Sequence, residues 1–173
     1  MKFKALAAVA VSSLFIASCG EAQKEENAEM NNAANEVATE VVTYKAEEKS
    51  KVNWMGEVAG VYGHEGYVHL DNGTLEVKGD QIVGGTFVVD MTNIVPTDSA
   101  SYKDEEGRRA TDLAGHLSTE DFFHTGEHPT STFVITSVEG NTVTGNLTVR
   151  GTTNEETMKI ESFEVQGDEV MMT

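Results

Sequence analysis

The sequence predicts an all-β domain of antiparallel strands with one short helix. Apolar and polar residues alternate along most of the chain after Tyr44, and sixteen glycines punctuate it. Turn signals recur at short spacing, at Asn72-Gly73, Lys78-Gly79-Asp80 and Glu139-Gly140-Asn141. Many short strands joined by such turns make an antiparallel sandwich or barrel, and the pattern alone does not separate the two.

Residues 1–18 read as an export leader. Lys2 and Lys4 form a basic n-region, and Ala5 to Phe15 is an apolar run too short to span a bilayer as a mature helix. Ile16-Ala17-Ser18-Cys19 places small residues before a cysteine, as in a bacterial lipobox, where Cys19 becomes the acylated first residue. Cys19 is the only cysteine, so no disulfide partner competes for it. Residues 19–43 are rich in Glu, Asn and Ala, with no aromatic residue and no proline, and read as a lipid-anchored acidic disordered tether. Its QKEE run resembles an acidic export signal of surface lipoproteins. The expected location is the cell envelope, anchored to a membrane, on the periplasmic face or the cell surface.

The domain is expected over 44–173. Val52 and Trp54 share one face of the first strand, SKVNWMGEV. In GYVHLDNGTLEV, Val68 and Leu70 precede Asn72-Gly73 and Leu75 and Val77 follow it, so a hairpin is expected there. QIVGGTFVVDM sets Phe87, Val89 and Met91 on one face. Pro96 to Arg109, polar and charged, reads as a long surface loop, and loops of that length are usually functional or mobile. Ala110 to Thr125 is the helical exception: Ser118 or Thr119 is expected to cap a turn, with Asp121 near its free N–H groups and Phe122 laid on the domain's mouth. STFVITSV, TVTGNLTVRG and ETMKIESFEV close the strand series.

Charge excludes some functions. Twelve basic against 29 acidic residues give a net charge of −17, and loss of Lys2 and Lys4 with the leader leaves 10 against 29, or −19. Such a surface repels nucleic acid and anionic headgroups, so the membrane is met through acylated Cys19 and not through a basic patch. Catalytic patterns are missing as well. No Gly-x-Ser-x-Gly or His-Glu-x-x-His occurs, and Gly84-Gly85 sits in a strand pattern without a phosphate-binding lysine. Five histidines raise the question of a metal. Gly126 lies between His124 and His128 and Pro129 follows, so helical i, i+4 pairing is not expected; neither a metal site nor a catalytic site is assigned.

Three phrases, GGTFVVDMTNI (84–94), HLSTEDFF with HPTSTF (116–123 and 128–133) and GNLTVRGTT (145–153), occur in that order. With Trp54-Met55-Gly56 and GHEGYVHLDNGTLEV, they resemble the YceI-like family over about Ser50 to Val165. The resemblance implies an extended antiparallel lipocalin-like β-barrel whose pore takes a polyisoprenoid or quinone-like lipid, with no other cofactor. An eight-stranded barrel is just wide enough for one slim ligand. The lining is then expected from Val52, Trp54, Val68, Leu75, Phe87, Val89, Met91, Phe122, Phe133, Ile135, Leu147 and Val149, with His116, Ser118, Asp121 and the 96–109 loop at the mouth. The family's closing strand pair, often with an Asp-Arg step, is not in this sequence, so the domain over 44–173 is expected to be C-terminally incomplete: either the sequence is truncated or the barrel has an open edge. The function so implied is non-catalytic storage or transport of an apolar lipid in the envelope, with a homodimer left open. The alternative is a surface-displayed interaction or stress-related scaffold without lipid.

Overall fold

The computed structural model describes residues 1–5, 40–58 and 62–173. They form one antiparallel sheet of strands β1 (Lys2–Ala5), β2 (Val41–Ala46), β3 (Lys51–Val58), β4 (Tyr62–Lys78), β5 (Gln81–Pro96), β6 (Thr130–Glu139), β7 (Thr142–Val149), β8 (Thr152–Lys159), β9 (Phe163–Gln166) and β10 (Glu169–Met172). Their order is β8-β7-β6-β5-β4-β2-β1-β10-β9, with β3 beside β4. The sheet curls into a half-barrel, as the all-β expectation requires, with β8 and β9 at its ends. All eight residues of β8 are exposed, so that strand is an edge with both faces in solvent.

Strand β4 organises the rest. The lower part of its first edge, from Tyr62 to His69, pairs with β3, and the upper part, from Thr74 to Lys78, pairs with β2. The change of partner falls at Ser50, which is buried and whose carbonyl accepts the Leu70 N–H at 3.0 Å. The opposite edge of β4 pairs with β5 from Gly66 to Lys78.

The hairpin expected at Asn72-Gly73 is not there. Leu70 pairs with Val89 and Asn72 with Val88, so Asp71 is the extra residue of a β-bulge inside one continuous strand. Glycine is needed at 73 for close approach rather than for a turn: a Cβ there would lie 2.9 Å from Ala46 Cβ and 3.3 Å from Phe87 Cδ1. The other two expected turns, Gly79-Asp80 and Gly140-Asn141, do occur, and both glycines have positive φ.

The helix also differs from expectation. Helix α1 is Ala110–Leu117, ahead of Ser118. Asp112 Oδ2 accepts the Arg109 N–H at 2.8 Å and starts the helix, while Ser118 closes it, its Oγ donating to Ala114 O at 2.8 Å. Serine side chains compete for backbone partners at either helix end, and here the acid three residues after Arg109 decides the polarity.

At the other end of the sheet, the residues expected as the leader's n-region form β1. Phe3 is wholly buried, pairs in register with Val170 and Ala46, and meets Phe87 edge to face with ring centroids 6.1 Å apart. Strand β2 begins at Val41, inside the stretch expected as tether. Residues 6–39, and with them Cys19, most of the leader and nearly all of the tether, lie outside the described residues.

Gly73→Ala should cost about 1–3 kcal/mol of unfolding free energy in a urea titration, through overpacking. Because the crowding partner is Ala46, the pair Ala46→Gly with Gly73→Ala should show a coupling above about 0.5 kcal/mol. Additive losses would instead indicate a backbone requirement at Gly73.

Candidate functional site

Alternation along β4 gives the half-barrel an inner face. Gly66, Val68 and Leu70 are buried on it, and beyond the bulge Gly73, Leu75 and Val77 continue it. The register carries it sideways, Gly73 to Phe87, Phe87 to Phe133 and Phe133 to Leu147. Burying such a surface is worth about 25 cal/mol per Å².

Most residues expected to line a pore lie on or against this face. Leu75, Phe87 and Phe133 belong to the central apolar cluster, and Val52, Val89, Ile135 and Leu147 pack against it. Val68 and Met91 are buried, while Trp54 and Val149 are half-buried. Phe122 stands apart: it is 45% exposed and packs edge to face on His116, with ring centroids 4.8 Å apart. The mouth group is not assembled as expected. His116 and Asp121 are exposed, and Ser118 is committed to the end of α1.

The polar group that the structure does assemble lies at the open end of the inner face. His64, on the same face of β4 as Gly66 and Val68, meets Asp98 and Tyr102 from the 96–109 loop. His64 Nδ1 is 2.8 Å from Asp98 Oδ2, and the Tyr102 hydroxyl donates to Asp98 Oδ1 at 2.6 Å. The imidazole and phenol rings stack with centroids 5.4 Å apart. Since the carboxylate only accepts, Nδ1 carries the proton toward it, and the Tyr102 oxygen, 3.1 Å away, is a second acceptor. In the neutral ring Nε2 is then the acceptor nitrogen. The loop is held by its backbone: the Thr97 N–H donates to Glu65 O at 2.8 Å, and Ser99–Ser101 makes one 3₁₀ turn.

A cavity of about 360 Å³ adjoins this group, lined by Met55, Glu57, Tyr62, Gly63, His64, Glu65 and Asp98. It offers carboxylates, an imidazole, an aromatic ring and a thioether, but no serine, threonine or cysteine. Burial acts to raise the Asp98 pKa, but hydrogen bonds from Tyr102, His64 and Ser101 outweigh it and hold the carboxyl far below the usual range. Tyr102 is pushed up by burial, by its bond to Asp98 and by that charge, so its phenol stays neutral.

On the neighbouring strand, Trp54 lies over Gly66, where a Cβ would come within 2.5 Å of the indole. Its buried Nε1 has no acceptor among the described residues. Sequence reading missed the His64–Asp98–Tyr102 group because 34 residues separate its first two members. The long acidic loop after β5 was the one signal pointing to it.

A YceI-like domain model matches residues 35–172. UPF0312 proteins of Staphylococcus aureus strains USA300 and N315 are each 50% identical to the chain over 46 residues, and one of strain MRSA252 is 48% identical over the same length. These matches cover 27% of this chain, and the chain spans 27% of the length of those curated relatives.

Asp98→Asn should lower stability by about 2 kcal/mol at neutral pH, the scale of hydrogen bonds to a charged group. The folded pKa of Asp98 lies below the unfolded value of about 3.9, so its contribution is present above that pH and is lost as pH falls through the folded value. Tyr102 has the opposite sign: its contribution is full below about pH 10 and is lost as pH rises through its raised folded value. Denaturation midpoints of both proteins from about pH 2 to 8 should therefore converge only at the acid end.

Proposed function

The chain belongs to the YceI-like family, and from that premise we propose that it is a non-catalytic carrier of a long isoprenoid lipid with an uncharged polar head. The observation that carries the reading is the inner face of β4. It is polar at its open end, at His64, and buried without interruption at every inward position from Gly66 to Val77. A flexible apolar chain is bound by burial along such a face, and only its head needs directional contacts.

The head is argued from charge. Glu57, Glu65 and Asp98 line the cavity, and Asp98 stays ionised. A phosphate or pyrophosphate there meets like charge, with no lysine or arginine among the described lining residues to offset it. A neutral head such as an alcohol suits it better, donating a hydrogen bond to the acceptor nitrogen of the His64 imidazole. The residues Ile16-Ala17-Ser18 before Cys19 support residence at a membrane through an acylated Cys19, since each buried methylene of an acyl chain would add about 0.8 kcal/mol.

The test is organic extraction of full-length protein purified from a bacterial host, read by mass spectrometry. About one neutral isoprenoid per chain is the expected result. An empty extract from a folded monomer removes the carrier reading, and a phosphorylated lipid removes the assignment of the head. In cell fractionation, Cys19→Ser should move the protein from the membrane pellet to the soluble fraction; retention in the pellet would count against the anchor.

A further inference from the structure

The segment between α1 and β6 holds a cluster that the lipid-binding reading does not use. One ligand atom from each of His124, Glu127 and His128 lies within 4.8 Å of the other two. We propose that these three side chains bind a divalent transition-metal ion of the zinc class.

The backbone sets up the site. His124 has a positive φ of 48°, and its N–H donates to Thr119 O at 2.9 Å. Its carbonyl accepts from the N–H groups of both Glu127, at 3.0 Å, and His128, at 2.9 Å. One turn is thereby closed in spite of Gly126, and it brings the two histidines together without the helix that i, i+4 pairing needs. Pro129 only ends the turn. The imidazoles come together with centroids 5.9 Å apart, and His124 Nδ1 is 3.9 Å from Glu127 Oε2. On its other side the His128 ring packs on Gly151, where a Cβ would stand 3.2 Å from Cε1, so any larger residue there crowds the ligand.

Zinc–nitrogen and zinc–oxygen bonds of about 2.0–2.2 Å hold tetrahedral ligand atoms roughly 3.4 Å apart. Closing the cluster onto an ion therefore asks for about 1 Å of movement. Glu127 can supply it, because its side chain is 72% exposed. Two imidazoles and one carboxylate suit zinc, copper or nickel rather than calcium or magnesium, which prefer all-oxygen shells. The net charge of −17 favours cations in general, and the imidazoles make the selection. His-x-x-Glu-His is also the spacing with which one class of metallopeptidases holds zinc. There the motif lies on a helix in a substrate cleft. Here it forms a surface turn, so the assignment is metal binding and not hydrolysis.

The experiment is calorimetric titration of zinc chloride into the full-length protein, without a histidine tag and with millimolar calcium present. One zinc per chain is expected, weakened at least about tenfold by His124→Asn or by His128→Asn, since even outer partners of a metal site contribute that much. Absence of zinc uptake overturns the proposal, as does unchanged uptake in the double variant. Should the variants fold poorly, wild-type protein is treated with diethyl pyrocarbonate with and without zinc and mapped by mass spectrometry. Protection of both His124 and His128 supports the site, and equal labelling overturns it.

Discussion

The long strand β4 is the constraint on which the rest of this structure depends. Its seventeen residues serve two partners along one edge and one along the other, so its course fixes the placement of β2, β3 and β5 together. A flat strand of that length could not follow a curled sheet. The extra residue at Asp71 supplies the bend, and on the facing strand four residues, from Met91 to Ile94, stand opposite Val68 alone. Each irregularity coincides with close packing. Gly73 lets the backbone approach Ala46 and Phe87, and Gly66 lets the Trp54 indole lie flat over the strand.

The same strand joins the apolar and polar halves of the molecule. Inward positions on its buried stretch can exclude water, while His64, two residues beyond Gly66, reaches the region where the loop after β5 returns. Asp98 is held there by three hydrogen-bond donors, a stronger restraint than an exposed ion pair of the same residues. The exposed pair of Arg108 with Glu105, at 3.3 Å between half-exposed side chains, is the contrast within the same loop. The loop is therefore anchored to β4 through Thr97, Asp98 and Tyr102, and farther on it is held by its own backbone bonds and exposed ion pairs.

Most of this architecture was legible because period-two alternation is a local signal. Val52, Leu75, Phe87 and Phe133 are inward for the reason the pattern gives. The errors arose where two local signals compete. Asn-Gly favours a hairpin turn, but a glycine required by a neighbour's proximity looks identical in sequence, and only Ala46 and Phe87 distinguish the cases. Ser118 can begin a helix or end one, and the Asp112–Arg109 bond settles which. The His64–Asp98–Tyr102 group was beyond local reading, since a contact between β4 and a distant loop depends on the register of β4 with β5. The 124–128 turn escaped for another reason: Gly126 lowers helix propensity, yet two N–H groups converging on one carbonyl need only a single turn and no propagated helix.

The position of Phe3 links the fold to the proposed fate of the chain. In full-length protein β1 separates β2 from β10, and being antiparallel to both, it leaves those two strands parallel to each other. Processing before Cys19 would remove β1 along with the leader. Phe3 would then leave the side of Phe87, and the wholly buried Val170 would lose its partner in register. A buried phenylalanine typically contributes about 3–5 kcal/mol, so the two forms cannot share one sheet at equal stability. Either β10 re-pairs with β2, now in parallel, or another strand enters the slot. Such processing would leave the stretch of β4 from His64 to Asn72, which has no pairing with β1, β2 or β10, as the part of the inner face least affected by the change.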